Sequence, residues 1–107
     1  MDAWVLLACA IGFEVLGTSL LKLSDGFAKP LFGVLAIAAY STSFWFLAPA
    51  LKTIPVGVAY AIWAGVGIVA VAAIGAAAFG QTLSAPQYGF MALVLIGAVG
   101  LRVTTAG

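Results

Sequence analysis

The chain has 107 residues, 65% of them hydrophobic and only 7% charged. Soluble domains carry about 25% charged residues, so the composition excludes an ordinary soluble fold. Four basic and three acidic residues leave a net charge of +1 with no His, which excludes a basic patch for nucleic acid. With Cys9 as the sole thiol, a disulfide framework and a Cys/His metal centre are excluded within one chain, and no metal is expected.

The first membrane span is predicted over residues 4–21, ending at Lys22 and the turn Ser24-Asp25-Gly26. Near its start, LLAC (6–9) resembles a lipoprotein cleavage box, and Ala8-Cys9-Ala10 a signal-peptidase site. No Lys or Arg precedes the apolar run, and the run is too short for a secretory segment, so this span is expected to stay attached. Cys9 reads as a small buried apolar residue. The second span is predicted over residues 31–51, after Lys29-Pro30 and before Lys52. The third covers 56–79, after Pro55. The fourth covers 86–103, with Pro86 in its first turn and Arg102 at its far end. Each has the length that crossing a bilayer requires. Backbone groups in lipid must satisfy one another, and no alternating strand pattern appears, so the spans are helices. The expected fold is an all-α membrane protein: a single domain, 1–107, of four transmembrane helices with short loops.

One membrane face receives Lys52 and Arg102, and the other receives Lys22 and Lys29. The tie gives no preferred orientation under the positive-inside rule. It points either to insertion in both directions or to chance in a chain with so few charges.

Within the first span, Glu14 has no Lys, Arg, Asp or Glu within seven residues on either side. It lies about 15 and 12 Å from the span's ends, near the bilayer midplane. A charge there costs several kcal/mol on the lowest scales and normally faces a bundle interior or wet cavity. Ala10, Gly17 and Thr18 make a small-residue face beside it, open to a ligand or a partner helix. The plainer reading is a protonated Glu making one structural hydrogen bond. Since Lys22 lies two turns away, where it can snorkel to the interface, the missing counter-ion is a proton or an external cation. Removal from water disfavours the charged form of a carboxyl, and a second copy nearby disfavours it further. Cation binding and proton loss then become one coupled event.

In the second span Tyr40, Ser43, Phe44 and Leu47 share one helical face, and in the third Tyr60, Trp63 and Gly67 share another. Tyr and Trp usually gather at membrane interfaces, yet Tyr40 and Trp63 are mid-span. Their rings suit cation–π contact with a lipophilic cation, and their OH and NH groups suit hydrogen bonds to Glu14; the plainer reading is aromatic packing between helices. Gly65 and Gly67, in the middle of the third span, allow a kink or close packing.

The stretches FEVLGTSLLKLSDGF (13–27), YSTSFWFLA (40–48), IPVGVAYAIWAGVGIV (54–69) and FGQTL (79–83) resemble the small multidrug resistance transporters over residues 4–101. The resemblance implies a multi-pass protein of the bacterial inner membrane, built as an antiparallel homodimer whose first three helices line a chamber. It implies a proton-coupled antiporter of lipophilic or aromatic cations such as quaternary ammonium compounds. Such a protein is not an enzyme and uses the proton gradient rather than a cofactor. Protons and substrate compete for the family's carboxylate, which falls on Glu14. Substrate-site residues fall on Tyr40, Phe44, Tyr60 and Trp63, with Thr18 and Ser43 nearby, and the third-helix hinge falls on Gly65 and Gly67. Gly17-Thr18 and Tyr40 resemble the multidrug subtype rather than the guanidinium exporters, which remain an alternative. Trp4 stands where that branch usually has Tyr, altering the chamber's rim. The fourth-helix dimer glycines are usually seven apart; here Phe90 occupies the earlier place, leaving Gly89, Gly97 and Gly100 as the expected contact. A proton-conducting rotor subunit also carries one membrane carboxylate, but as a two-span hairpin. An assembly factor needs no midplane Glu. One subunit of a heteromeric family pair is the closest rival, and the Lys/Arg tie favours self-pairing.

Overall fold

A computed structural model of the chain describes residues 2–105. Four helices follow in order: α1 (Ala3–Leu23), α2 (Pro30–Ala50), α3 (Val56–Ala78) and α4 (Ala85–Thr104), with no strand among the described residues. Each is long and apolar enough to cross a membrane. The protein is an all-α, multi-pass membrane protein. The helices fall into two compact units, Met1–Ile54 and Pro55–Gly107, each a helical hairpin.

In the first unit, α1 starts one residue before Trp4 because Asp2 caps it, its Oδ1 accepting from the Trp4 N–H at 3.0 Å. Leu7, Ala10, Ile11, Val15 and Gly17 form its buried stripe, and Gly33, Ala36, Ala39, Ser43 and Ala50 form that of α2. The α2 stripe is almost entirely small. Lipid is as apolar as Leu, so association in a membrane depends on close packing, which small residues permit. Pro30 opens α2, where a missing N–H costs nothing.

Ser24 organises the α1–α2 turn. Its N–H donates to the Leu20 carbonyl at 2.9 Å and its hydroxyl to Leu21 at 2.6 Å, while its Oγ accepts from the Phe27 N–H and its carbonyl from the Lys29 N–H. Asp25, Gly26 and Phe27 then run left-handed, at φ of 52°, 64° and 68°. Such a conformation is strained for a bulky residue. Phe27 is held there by Gly33, where an added Cβ would stand 2.8 Å from the Phe27 ring. Beyond α2, Ile54, 2% exposed, closes the unit.

In the second unit, α3 runs without a break through Gly65 and Gly67, both buried. A Cβ on Gly65 would stand 3.3 Å from Ala98 Cβ and Val94 Cγ1, so this glycine is where α4 packs close. The α3–α4 turn has Gly80 at φ +66° and the Gln81 N–H bonded to the Gly75 carbonyl at 3.1 Å. A full capping box opens α4: Ser84 Oγ accepts from the Gln87 N–H, and Gln87 Oε1 accepts from the Ser84 N–H at 2.8 Å. Ala98 is the residue of α4 that is buried among those described.

Candidate functional site

The helical repeat sets Thr18 one turn beyond Glu14 on the same side of α1. Its hydroxyl donates to Glu14 Oε1 at 2.9 Å. The same Thr18 oxygen lies 2.8 Å from the Tyr40 hydroxyl on α2. The three side chains thus form a continuous line, carboxyl to hydroxyl to phenol, crossing from one helix to the next. All three are half-buried.

Three features hold this line in place. Tyr40 lies flat against Gly17, where a Cβ would stand 3.1 Å from ring atoms Cδ1 and Cε1. The glycine therefore sets how near the phenol comes to Thr18. One turn below, the buried Ser43 hydroxyl donates to the Ala10 carbonyl at 2.6 Å, tying α2 to α1 beside Glu14. On the other flank Phe13 stacks on Phe46, centroids 5.6 Å apart and planes within 9°, with Trp45 edge-on to Phe46. Neither α2 nor the run from Leu7 to Leu21 contains a Lys or Arg. The carboxyl is held by the Thr18 hydroxyl, which in turn meets the Tyr40 hydroxyl.

Glu14, Thr18, Tyr40 and Ser43 are brought together, with Ser43 engaged as a helix-to-helix tie. The face assigned to α2 divides: Ser43 is 0% exposed and Phe44 is 59% exposed. Successive helical residues point about 100° apart, which is enough to send one against α1 and the other outward. Trp4 is half-buried in the first turn of α1. In the second unit Tyr60 is 73% exposed and Trp63 half-buried on α3, flanking the buried Ile62. Gly65 is occupied by α4 packing, and Gly67 is buried. On α4, Gly89 and Gly97 are exposed and Gly100 half-buried, and a Cβ on any of them would meet nothing within 4 Å. Their smallness is not used within the chain.

Sequence reasoning offered the Tyr40 hydroxyl as a direct partner for Glu14, and the structure places Thr18 between the two. Gly17 reads as part of an open small-residue face, whereas Tyr40 fills it. The Phe13–Phe46 stack was not foreseen either, although Phe13 directly precedes Glu14 in the sequence.

A family model described as Small Multidrug Resistance protein matches residues 2–95. The chain is similar to the quaternary ammonium compound-resistance protein QacF of Klebsiella aerogenes, 46% identical over 103 residues, covering 96% of this chain and 94% of the relative. It is also similar to the multidrug transporter EmrE of Escherichia coli, 44% identical over 97 residues and covering 91% and 88%. The spermidine export protein MdtI of Cronobacter sakazakii is 41% identical over 100 residues, covering 94% and 90%.

Proposed function

The chain belongs to the small multidrug resistance family, and from that premise we propose that it is a proton-coupled antiporter. It exports lipophilic or aromatic cations, quaternary ammonium compounds among them, across the bacterial inner membrane. Protons and substrate compete for Glu14. The observation that carries this reading is a mid-span carboxyl bonded to the Thr18 hydroxyl and through it to Tyr40, on two helix stretches, 7–21 and 30–50, that hold no Lys or Arg. An ionised Glu14 attracts a cation, and a protonated one does not, so affinity for a monovalent cation rises with pH and then levels off. Tyr40, Phe44, Tyr60 and Trp63 supply π faces. Binding energy that differs between outward- and inward-open states lets either cargo drive the exchange.

The test is proton release from purified protein titrated with a quaternary ammonium cation, with guanidinium and with spermidine. The third arm is included because one relative is named as a spermidine exporter. The quaternary ammonium arm is expected to release protons at the lowest concentration, and Glu14→Gln to abolish release in every arm. Normal binding by Glu14→Gln with the parental pH dependence would make Glu14 structural and sink the reading.

The functional unit is an antiparallel homodimer, a reading supported by the tie of Lys22 and Lys29 against Lys52 and Arg102. Reporters fused at the C-terminus should register on both sides of the membrane in comparable amounts, and a one-sided result removes self-pairing.

A further inference from the structure

The line from Glu14 through Thr18 to Tyr40 has a direction, and proton counting fixes it. A Thr hydroxyl carries one proton and two lone pairs, and a phenol likewise has one proton to give. An ionised carboxylate only accepts. When Glu14 is charged, the Thr18 proton must therefore go to Glu14 Oε1, the bond seen at 2.9 Å. Thr18 has then no proton left for its 2.8 Å contact with Tyr40, so the phenol is the donor in that contact. The Tyr40 proton is committed to Thr18, and what the phenol presents elsewhere is its lone pairs.

We propose that Thr18 is a positioning residue that reverses this line when Glu14 takes up a proton. With the proton on Oε1, Glu14 donates to Thr18 Oγ1, the Thr18 hydroxyl turns to donate to Tyr40, and the phenol proton is released to point away from α1. No heavy atom moves and no proton changes owner after the first is bound; only two hydroxyls rotate. Tyr40 is thus an acceptor, suited to the cation, while Glu14 is charged, and a donor, suited to water or a neutral acceptor, while Glu14 is neutral. The ligand-binding surface on α2 thereby registers the protonation of a carboxyl on α1. The seat of the Tyr40 ring against Gly17 makes this possible, since it fixes the phenol within reach of Thr18 in both directions.

The titratable groups on the two packed helices are few. Besides Glu14, α1 carries Cys9, one turn and a residue earlier, and Lys22, two turns later; on α2 Tyr40 is the only such side chain. Within this hairpin, the titratable group linked to Tyr40 by hydrogen bonds is Glu14. The proposal rests on Glu14 being the proton site, and its test reads that assumption separately.

The chain has three tyrosines, so ring labelling with 13C at the phenol carbon resolves Tyr40 by comparison with Tyr40→Phe. Full-length protein in lipid is titrated with pH, without substrate, while the Glu14 carboxyl carbon and the Tyr40 phenol carbon are followed together. In the parent protein the two signals are expected to shift with one midpoint. Thr18→Val keeps the shape and removes the hydroxyl: Glu14 should still titrate while the Tyr40 signal loses its response. Thr18→Ser, which restores the hydroxyl, should restore the response. If Tyr40 stays flat in the parent while Glu14 titrates, the proton rests on the other carboxyl oxygen and the relay is refuted. An unchanged Tyr40 response in Thr18→Val refutes it as well. A Glu14 carbon that does not titrate overturns the proton-site reading itself, and the relay with it.

Discussion

The two hairpins of this chain are built to the same plan and held together by different means. Between α1 and α2, side-chain hydroxyls cross from helix to helix, Thr18 to Tyr40 and Ser43 to the Ala10 carbonyl, and each helix buries five residues. Between α3 and α4 the close approach is apolar, Gly65 against Val94 and Ala98, and α4 buries Ala98 alone among its described residues. The exposed side of α4 carries Leu93, Ile96, Val99 and Val103 together with glycines that nothing in the chain fills. The contrast teaches where precision is required. The hairpin that carries the mid-span carboxyl is pinned by directional bonds and a stacked aromatic pair, which fix where its side chains point. In the second hairpin α4 needs only an apolar surface and one point of close approach, at Gly65.

The largest effect that separates the two hairpins comes from one substitution made in each. Gly17→Leu drives carbon into the Tyr40 ring, and overpacking of this kind costs about 1–3 kcal/mol. Gly89→Leu meets open space, and a surface change of this sort stays within about 0.5 kcal/mol. Denaturant unfolding of the two variants in detergent compares them directly; equal losses would show that the asymmetry has no energetic content.

A smaller effect is expected at the buried tie. Ser43→Ala removes one interhelical hydrogen bond, worth about 0.6 kcal/mol on average and at most about 1.7 in a membrane. The same measurement applies, with Ser41→Ala, on an exposed position of the same helix, as the neutral reference. If the two variants are alike, Ser43 fills space and does not pin the hairpin.

The smallest change within the chain, and the most informative about α4, is Gly97→Leu. The hairpin itself should be unaffected, because a Cβ there meets nothing within 4 Å. Crosslinking between copies in vesicles should fall if α4 is a dimer contact. Unchanged crosslinking would locate the pairing surface elsewhere.

The four helices were legible because membrane length and apolar composition are one-dimensional properties. Glu14 was legible for the same reason, as a charge where none belongs. The bond from Thr18 to Tyr40 was not, because it depends on the register of α2 against α1, and that register is set by the fit of a flat ring on Gly17. Small residues recur on both helices, so the pattern alone leaves several registers open. The division of Ser43 from Phe44 escaped the same way: a face drawn by periodicity is wider than the strip that a neighbouring helix covers. The turn at Asp25-Gly26-Phe27 resisted sequence reading for another reason. Propensity places Gly in left-handed backbone but argues against Phe, which is accommodated by a bond from its N–H to Ser24 Oγ and by room for its ring over Gly33.

That turn has a consequence for how the hairpin is built. Ser24 supplies partners for the carbonyls of the last turn of α1 and for the N–H groups of Phe27 and Lys29, all from within the segment. Much of the bend's hydrogen bonding is therefore local, gathered on one buried serine. A bend of that kind is set mainly from inside the chain: one buried serine, rather than a partner from another element, fixes where α1 stops and how the segment toward α2 begins.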